Sequence, residues 1–290
     1  MWQPRVSRPG PARGDIDRPR SELPRFLAGV PVSVKPRSSR LTHVLDQGVA
    51  PGDLDILLAR FGRYVDIWKM GWGTAYLDPD LAEKLAILGR HGVRACTGGT
   101  LLEAAWLQGQ ADQCLAWCAE VGFDCVEVSN GAAGMPLTEK RRLISAAAQL
   151  FTVLAEAGSK DPAVPFSPED WTQEMHGDIE AGAMWVITEG RAQGNIGMFT
   201  AEGSVREDEA GRLVTLAAGK VGISQVIFEA PRKDQQAWLI NRLGTDVSLG
   251  NVPPGEVLAL ETLRRGLRAD TMHLFTGARP EGGSEIGAGG

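Results

Sequence analysis

Short apolar runs alternate with longer amphipathic stretches along most of this chain. The runs are "LTHVLD" from Leu41, "VDIWKMG" from Val65, "VRACTG" from Val93, "FDCVEVS" from Phe123, "FTVLAEAG" from Phe151, "AMWVITEG" from Ala183, "ISQVIFEAP" from Ile223 and "TDVSLGNV" from Thr245. Each is rich in Val, Ile, Leu or aromatic residues, and glycine or a polar residue usually ends it, which predicts a strand. Between them lie "PGDLDILLARFG" from Pro51, "LDPDLAEKLAILGRHG" from Leu77, "ADQCLAWCAEVG" from Ala111, "PLTEKRRLISAAAQL" from Pro136, "SPEDWTQEMHGDIEAG" from Ser167, "REDEAGRLVTLAAGKVG" from Arg206, "RKDQQAWLINRLG" from Arg232 and "PPGEVLALETLRRGLR" from Pro253. These predict helices. Many close on glycine, and two carry proline near the start, where it is tolerated.

Eight strand–helix pairs predict a single (β/α)8 barrel, an α/β fold, spanning residues 31–276. The alternative is an open doubly wound sheet. It usually needs a glycine-rich phosphate turn early, and "GVAPGD" after the first strand is a poor match. Residues 1–30 are rich in Arg, Pro and Gly without periodicity and predict a mobile extension. Residues 277–290, glycine-rich, predict a flexible tail.

Composition changes this picture little. A chain of 290 residues, 43% hydrophobic, is long enough to bury a full core. A net charge of −6 gives no general reason to expect nucleic-acid or lipid partners. The four cysteines form no C-x-x-C, and Cys114 and Cys118 share one helix face, which suits free thiols. The four histidines show no metal-ligand spacing. No run is long enough to span a membrane and no secretory signal opens the chain, so the expected compartment is the cytoplasm. A homo-oligomer is left open.

In barrels of this kind the active site forms where strands end and βα loops begin. There the chain places Asp46, Lys69, Glu127, Ser129, Glu156, Lys160, Glu189, Arg191, Glu229 and Asn251. One charge at a strand end is usually a solvated edge or a local ion pair. Four glutamates at similar depth in four consecutive strands are harder to explain that way, because clustered carboxylates repel one another and buried charges need partners or metals. Three cations and a divalent ion such as Mg2+, which takes carboxylate oxygens, would offset them. Asp46 could instead cap its own turn, and Ser129 and Asn130 read equally well as turn formers. "TGGT" from Thr97 could offer amides to an anion. "GWGT" from Gly71 reads as a tight turn packed under Trp72.

The blocks "KMGWGT", "TGGTLLE", "VEVSNG", "EAGSK", "VITEGR", "VIFEAP" and "LETLRRGLRADT" resemble, in that order, those of the phosphosulfolactate synthase family. The resemblance covers roughly residues 35–275 and rests on several blocks in register. It implies a TIM barrel lyase that adds sulfite to phosphoenolpyruvate with Mg2+, giving (2R)-phospho-3-sulfolactate, a step that opens coenzyme M biosynthesis in methanogens. Plant heat-stress-associated proteins resemble the same family. The alternatives are therefore a non-enzymatic stress-associated member, or an enzyme using another enol phosphate or nucleophile. The charged set Lys69, Glu127, Glu156, Lys160, Glu189, Arg191 and Glu229 matches the family and favours the synthase reaction. Departures are Met70 and Ala157 in the quoted blocks, Ala75 directly after the first block, Ser248 and Gly250 around Leu249, and Gln47.

On that resemblance Lys160 is the expected acid, with Lys69 and Arg191 as further catalytic and anion-holding residues. Glu156, Glu189 and Glu127 are the expected metal ligands. Glu229 and Asn251 would orient the substrate, and amides near Gly250 would receive its phosphate.

Overall fold

A computed structural model of the protein describes residues 34–276. The expectations for residues 1–30 and 277–290 fall outside the described residues. Eight parallel strands close a barrel in sequence order. They are β1 (Thr42–Asp46), β2 (Ile67–Met70), β3 (Arg94–Thr97), β4 (Cys125–Val128), β5 (Thr152–Ala157), β6 (Trp185–Thr188), β7 (Val226–Glu229) and β8 (Ser248–Val252). All eight fall inside the runs singled out above. The helices are α1 (Pro51–Phe61), α2 (Thr74–Leu77), α3 (Leu81–Arg90), α4 (Gly99–Leu107), α5 (Ala111–Val121), α6 (Leu137–Ala147), α7 (Pro168–Glu180), α8 (Glu207–Lys220), α9 (Lys233–Leu243), α10 (Val257–Arg264) and α11 (His273–Thr276). No described helix is long and apolar enough to cross a membrane.

The strand alternation sorts side chains into two cores. Val153, Ala155 and Ala157 of β5 face the helices, as do Val186 of β6 and Val226 and Phe228 of β7. The barrel interior is filled instead by Leu41, Ile67, Cys96, Cys125, Leu154, Trp185, Ile187 and Ile227. Side chains return to one face every second residue. Two residues beyond Ile67, Cys125, Leu154, Ile187 and Ile227 come Lys69, Glu127, Glu156, Glu189 and Glu229. All strands run the same way, so these five polar groups emerge at one end of the barrel, on top of an apolar plug.

The same rule moves Asp46 elsewhere. Val44, two residues before it, faces the helices, and Asp46 follows. Its carboxylate meets Lys84 of α3 at 2.7 Å and accepts the Trp68 indole N–H at 2.9 Å. It also accepts the Gly48 and Val49 amides, both at 2.7 Å. The capping role holds, but Asp46 points into the layer between strand and helix, not toward the mouth.

Two local readings change. "TGGT" leads into the first turn of α4. Its first amide, Gly99, is taken by Glu127 Oε1 at 2.8 Å, so that donor is not free for an exogenous anion. Glycine is required at that position because a Cβ there would stand 2.3 Å from Ser129 Oγ. Trp72 is more than a buried cover for its turn. It is half-exposed and lines the barrel mouth.

Candidate active site

Two lysines organise the mouth, Lys69 buried and Lys160 partly exposed. Lys69 on β2 bridges Glu127 at 2.8 Å and Glu229 at 3.0 Å. Lys160, in the loop after β5, contacts Glu156 and stands 2.9 Å from Glu189 Oε2. Two further carboxylate oxygens meet backbone. Glu229 Oε2 accepts the Gly190 amide at 2.9 Å, and Glu189 Oε1 accepts the Arg191 amide at 2.7 Å. The Arg191 guanidinium donates to the Lys160 carbonyl. Leu45, Thr100, Ala192 and Asn251 complete the lining.

Arg191, Trp72 and Asn251 hold left-handed backbone, with φ of 59°, 53° and 53°. Such conformations cost non-glycine residues roughly 1–3 kcal/mol each and persist only where the surroundings enforce them. Among the described residues only one other non-glycine residue, Arg40, has positive φ. Strain is thus concentrated at the mouth.

The electrostatics are unbalanced. Burial would lower the pKa of both lysines, but their carboxylate neighbours outweigh it and hold both above the ordinary lysine value. Burial would raise Glu156, yet Lys160 and Lys69 bring it down to about 2. Glu189 goes the other way: burial, then Glu156 and Glu229, push it well up. Burial also raises Glu229, to about 7, with Lys69 opposing and Glu156 and Glu127 assisting. Glu127 is raised by burial against the pull of Lys69.

Glu156, Glu189 and Glu229 each offer an oxygen within 4.8 Å of the others. Two carboxylates about 4 Å apart repel by roughly 4 kcal/mol at an effective dielectric of 20. The three therefore converge only with a proton or a cation among them. Glu189 Oε2 is buried and makes no hydrogen bond of regular geometry, although Lys160 Nζ lies 2.9 Å away. Three converging carboxylates form an all-oxygen donor set, which fits a hard divalent ion such as Mg2+. The converging set contains Glu229 where the sequence reading had Glu127; both engage Lys69 and a backbone amide, and it is proximity to Glu156 and Glu189 that separates them.

Beside the mouth opens a cavity of about 440 Å3 bounded by Gln47, Gly48, Val49, Pro253 and Pro254, sharing Leu45, Ala192 and Asn251 with it. No cationic side chain lines it. Gly250 borders neither space. It sits inside β8, where its carbonyl accepts the Ala230 amide at 3.0 Å and its Cα packs near His43 and Ile227.

One site residue escaped the sequence reading. Glu103 on α4 is buried and stands 4.0 Å from Lys160 Nζ. Its only signal was a carboxylate inside the apolar helix "GTLLEAAWL".

A closed (β/α)8 barrel with buried acids and lysines converging at the C-terminal ends of its strands is the architecture of a barrel enzyme. The sequence profile described as (2R)-phospho-3-sulfolactate synthase (ComA) matches residues 31–270. The chain belongs to this family of lyase-type enzymes. It is 40% identical over 248 residues to phosphosulfolactate synthase of Methanothermobacter thermautotrophicus, covering 83% of this chain and 95% of that one. Identity to the synthase of Methanocaldococcus jannaschii is 41% over 237 residues, covering 80% of this chain and 93% of the relative. Identity to that of Bacillus subtilis is 36% over 252 residues, covering 86% and 99%. The carboxyl transferase domain of Rhizobium etli pyruvate carboxylase aligns with a TM-score of 0.50 at 13% identity, covering 78% of this chain and 44% of that one, a likeness of fold alone.

Proposed function

We propose that this protein adds sulfite to phosphoenolpyruvate to give (2R)-phospho-3-sulfolactate, with Mg2+ as cofactor. The observation that carries the reading is the convergence of Glu156, Glu189 and Glu229 against the Lys160 ammonium in a member of this family. The sulfite sulfur supplies an electron pair to the methylene carbon of phosphoenolpyruvate, forming the carbon–sulfur bond. The double-bond pair moves onto the central carbon and into the carboxylate. A proton then arrives at the central carbon and fixes its configuration, while the phosphate stays on its oxygen.

Glu156, Glu189 and Glu229 would hold the divalent ion, whose positive charge favours the electron density entering the substrate carboxylate. Lys160 stays protonated near neutral pH and lies at the mouth, so it can deliver the proton. Lys69 is fixed between Glu127 and Glu229 and contributes a standing positive charge. Asn251, half in the mouth and half in the adjoining cavity, orients the substrate between them. Its amide NH2 is the donor that an anionic substrate would use. The test is incubation with sulfite, phosphoenolpyruvate and Mg2+ followed by mass detection of the adduct. Absence of the adduct under those conditions sinks the reading.

Arg191→Lys keeps the charge but loses the planar fork. Weaker use of phosphoenolpyruvate or sulfite is expected, with little change in Mg2+ dependence. Steady-state kinetics with each substrate varied in turn check it. Unchanged kinetics for both would confine Arg191 to its contact with the Lys160 carbonyl.

A further inference from the structure

The ammonium of Lys160 ends a flexible stem, so its position depends on what holds its backbone. Two contacts do so. The Lys160 amide donates to the Gly131 carbonyl at 3.1 Å, and the Lys160 carbonyl accepts from the Arg191 guanidinium. Gly131 belongs to the loop between β4 and α6, and the two loops are pressed together. A Cβ on Gly131 would stand 2.7 Å from the Gly158 carbonyl oxygen and 3.3 Å from Lys160 Cγ.

Something must in turn hold that loop, and Glu103 does. Its Oε2 accepts the Ala132 amide at 2.8 Å and the Ala133 amide at 2.5 Å. Its Oε1 accepts the Ser129 hydroxyl at 2.5 Å. The two amides that follow the loop's contact with Lys160, and the hydroxyl two residues before it, are thereby tied to one buried carboxylate on α4. Direct attraction is the weaker link, because Glu103 Oε1 is 4.0 Å from Lys160 Nζ, outside hydrogen-bond reach.

We infer that Glu103 is a positioning residue that sets the place of the Lys160 ammonium by clamping the Ser129–Ala133 loop against the Lys160 backbone. The inference rests on Lys160 being the proton donor of the proposed reaction. Glu103→Ala would strand two amides and a hydroxyl, each costing roughly 1–3 kcal/mol if left buried and unpaired, so the loop must rearrange. Glu103→Gln keeps an acceptor oxygen for the amides and an NH2 group for the Ser129 oxygen, but drops the charge.

The deciding experiment combines hydrogen–deuterium exchange over the peptide carrying Lys160 with steady-state kinetics on wild type, Glu103→Ala and Glu103→Gln. In Glu103→Ala, exchange at the Lys160 amide should accelerate and kcat should fall by about 10²-fold, the size of effect a roughly 1 Å misplacement produces, with KM little changed. Glu103→Gln should restore slow exchange and most of the rate. Gly131→Ala, which keeps Glu103 but wedges the loops apart, should reproduce the Ala phenotype and serves if Glu103→Ala fails to fold. Wild-type exchange at Lys160 in Glu103→Ala or Gly131→Ala overturns the inference. So does a rate loss as large in Glu103→Gln as in Glu103→Ala, which would make charge the active property. Exchange is read without turnover, so a wild type that forms no adduct would refute the proposed reaction and leave the clamp to be judged on exchange alone.

Discussion

Lys160→Ala is expected to fold, to bind phosphoenolpyruvate, and to form product roughly 10²–10⁴-fold more slowly, the usual worth of a positioned general acid. The expectation comes from the ammonium's place, with Glu156 in contact and Glu189 at 2.9 Å. Burial favours the neutral amine, but the two carboxylates outweigh it and keep the proton on Lys160. The acid form is therefore present at neutral pH. Offsetting the charge of Glu156 and Glu189 weakens that hold and eases release to the central carbon. Lys160→Arg should rescue poorly, because guanidinium retains its proton. A purely electrostatic role would let arginine recover most of the activity, and a structural role would lower the melting temperature of both variants. In deuterated water the wild type should place one deuterium at carbon 2. If Lys160→Ala runs near the wild-type rate with the same configuration there, the acid lies elsewhere.

Mg2+ should raise the melting temperature of the wild type and scarcely move that of Glu189→Gln. A ligand at 100 times its Kd stabilises by about 2.7 kcal/mol, which is several degrees for a domain of this size. Glutamine reproduces the protonated form that burial and two neighbouring acids favour at Glu189. The metal-free variant should therefore be at least as stable as metal-free wild type. Turnover by the wild type should vanish on chelation and return with Mg2+. Thermal denaturation with and without the ion checks the first part, and activity before and after chelation the second. Full activity in chelated protein, or an equal Mg2+ shift in Glu189→Gln, would remove these carboxylates from the metal site.

Much of the arrangement was legible in the residues themselves. The alternation of apolar runs with amphipathic stretches specified eight strands and the closed barrel, because a buried strand and a half-buried helix leave different local periods. The period of two also carried Lys69, Glu127, Glu156, Glu189 and Glu229 to one end, since each follows an interior apolar residue by two positions. The period of two places Asp46 outward as well, beside Val44, although its strand-end position alone suggested the mouth. Tertiary structure decided what local pattern does not encode. Which acids converge depends on how the ring closes and on what else reaches each carboxylate. Glu127 and Glu229 both bond Lys69 and a backbone amide, and of the two it is Glu229 that lies close to Glu156 and Glu189. Arg191 lines the mouth and also meets the carbonyl of a residue 31 positions away. Glu103 sits on an apolar helix whose inner face becomes part of the mouth only after α4 packs over β4. Periodicity is set by neighbours along the chain, whereas convergence is set by groups brought together only when the barrel closes.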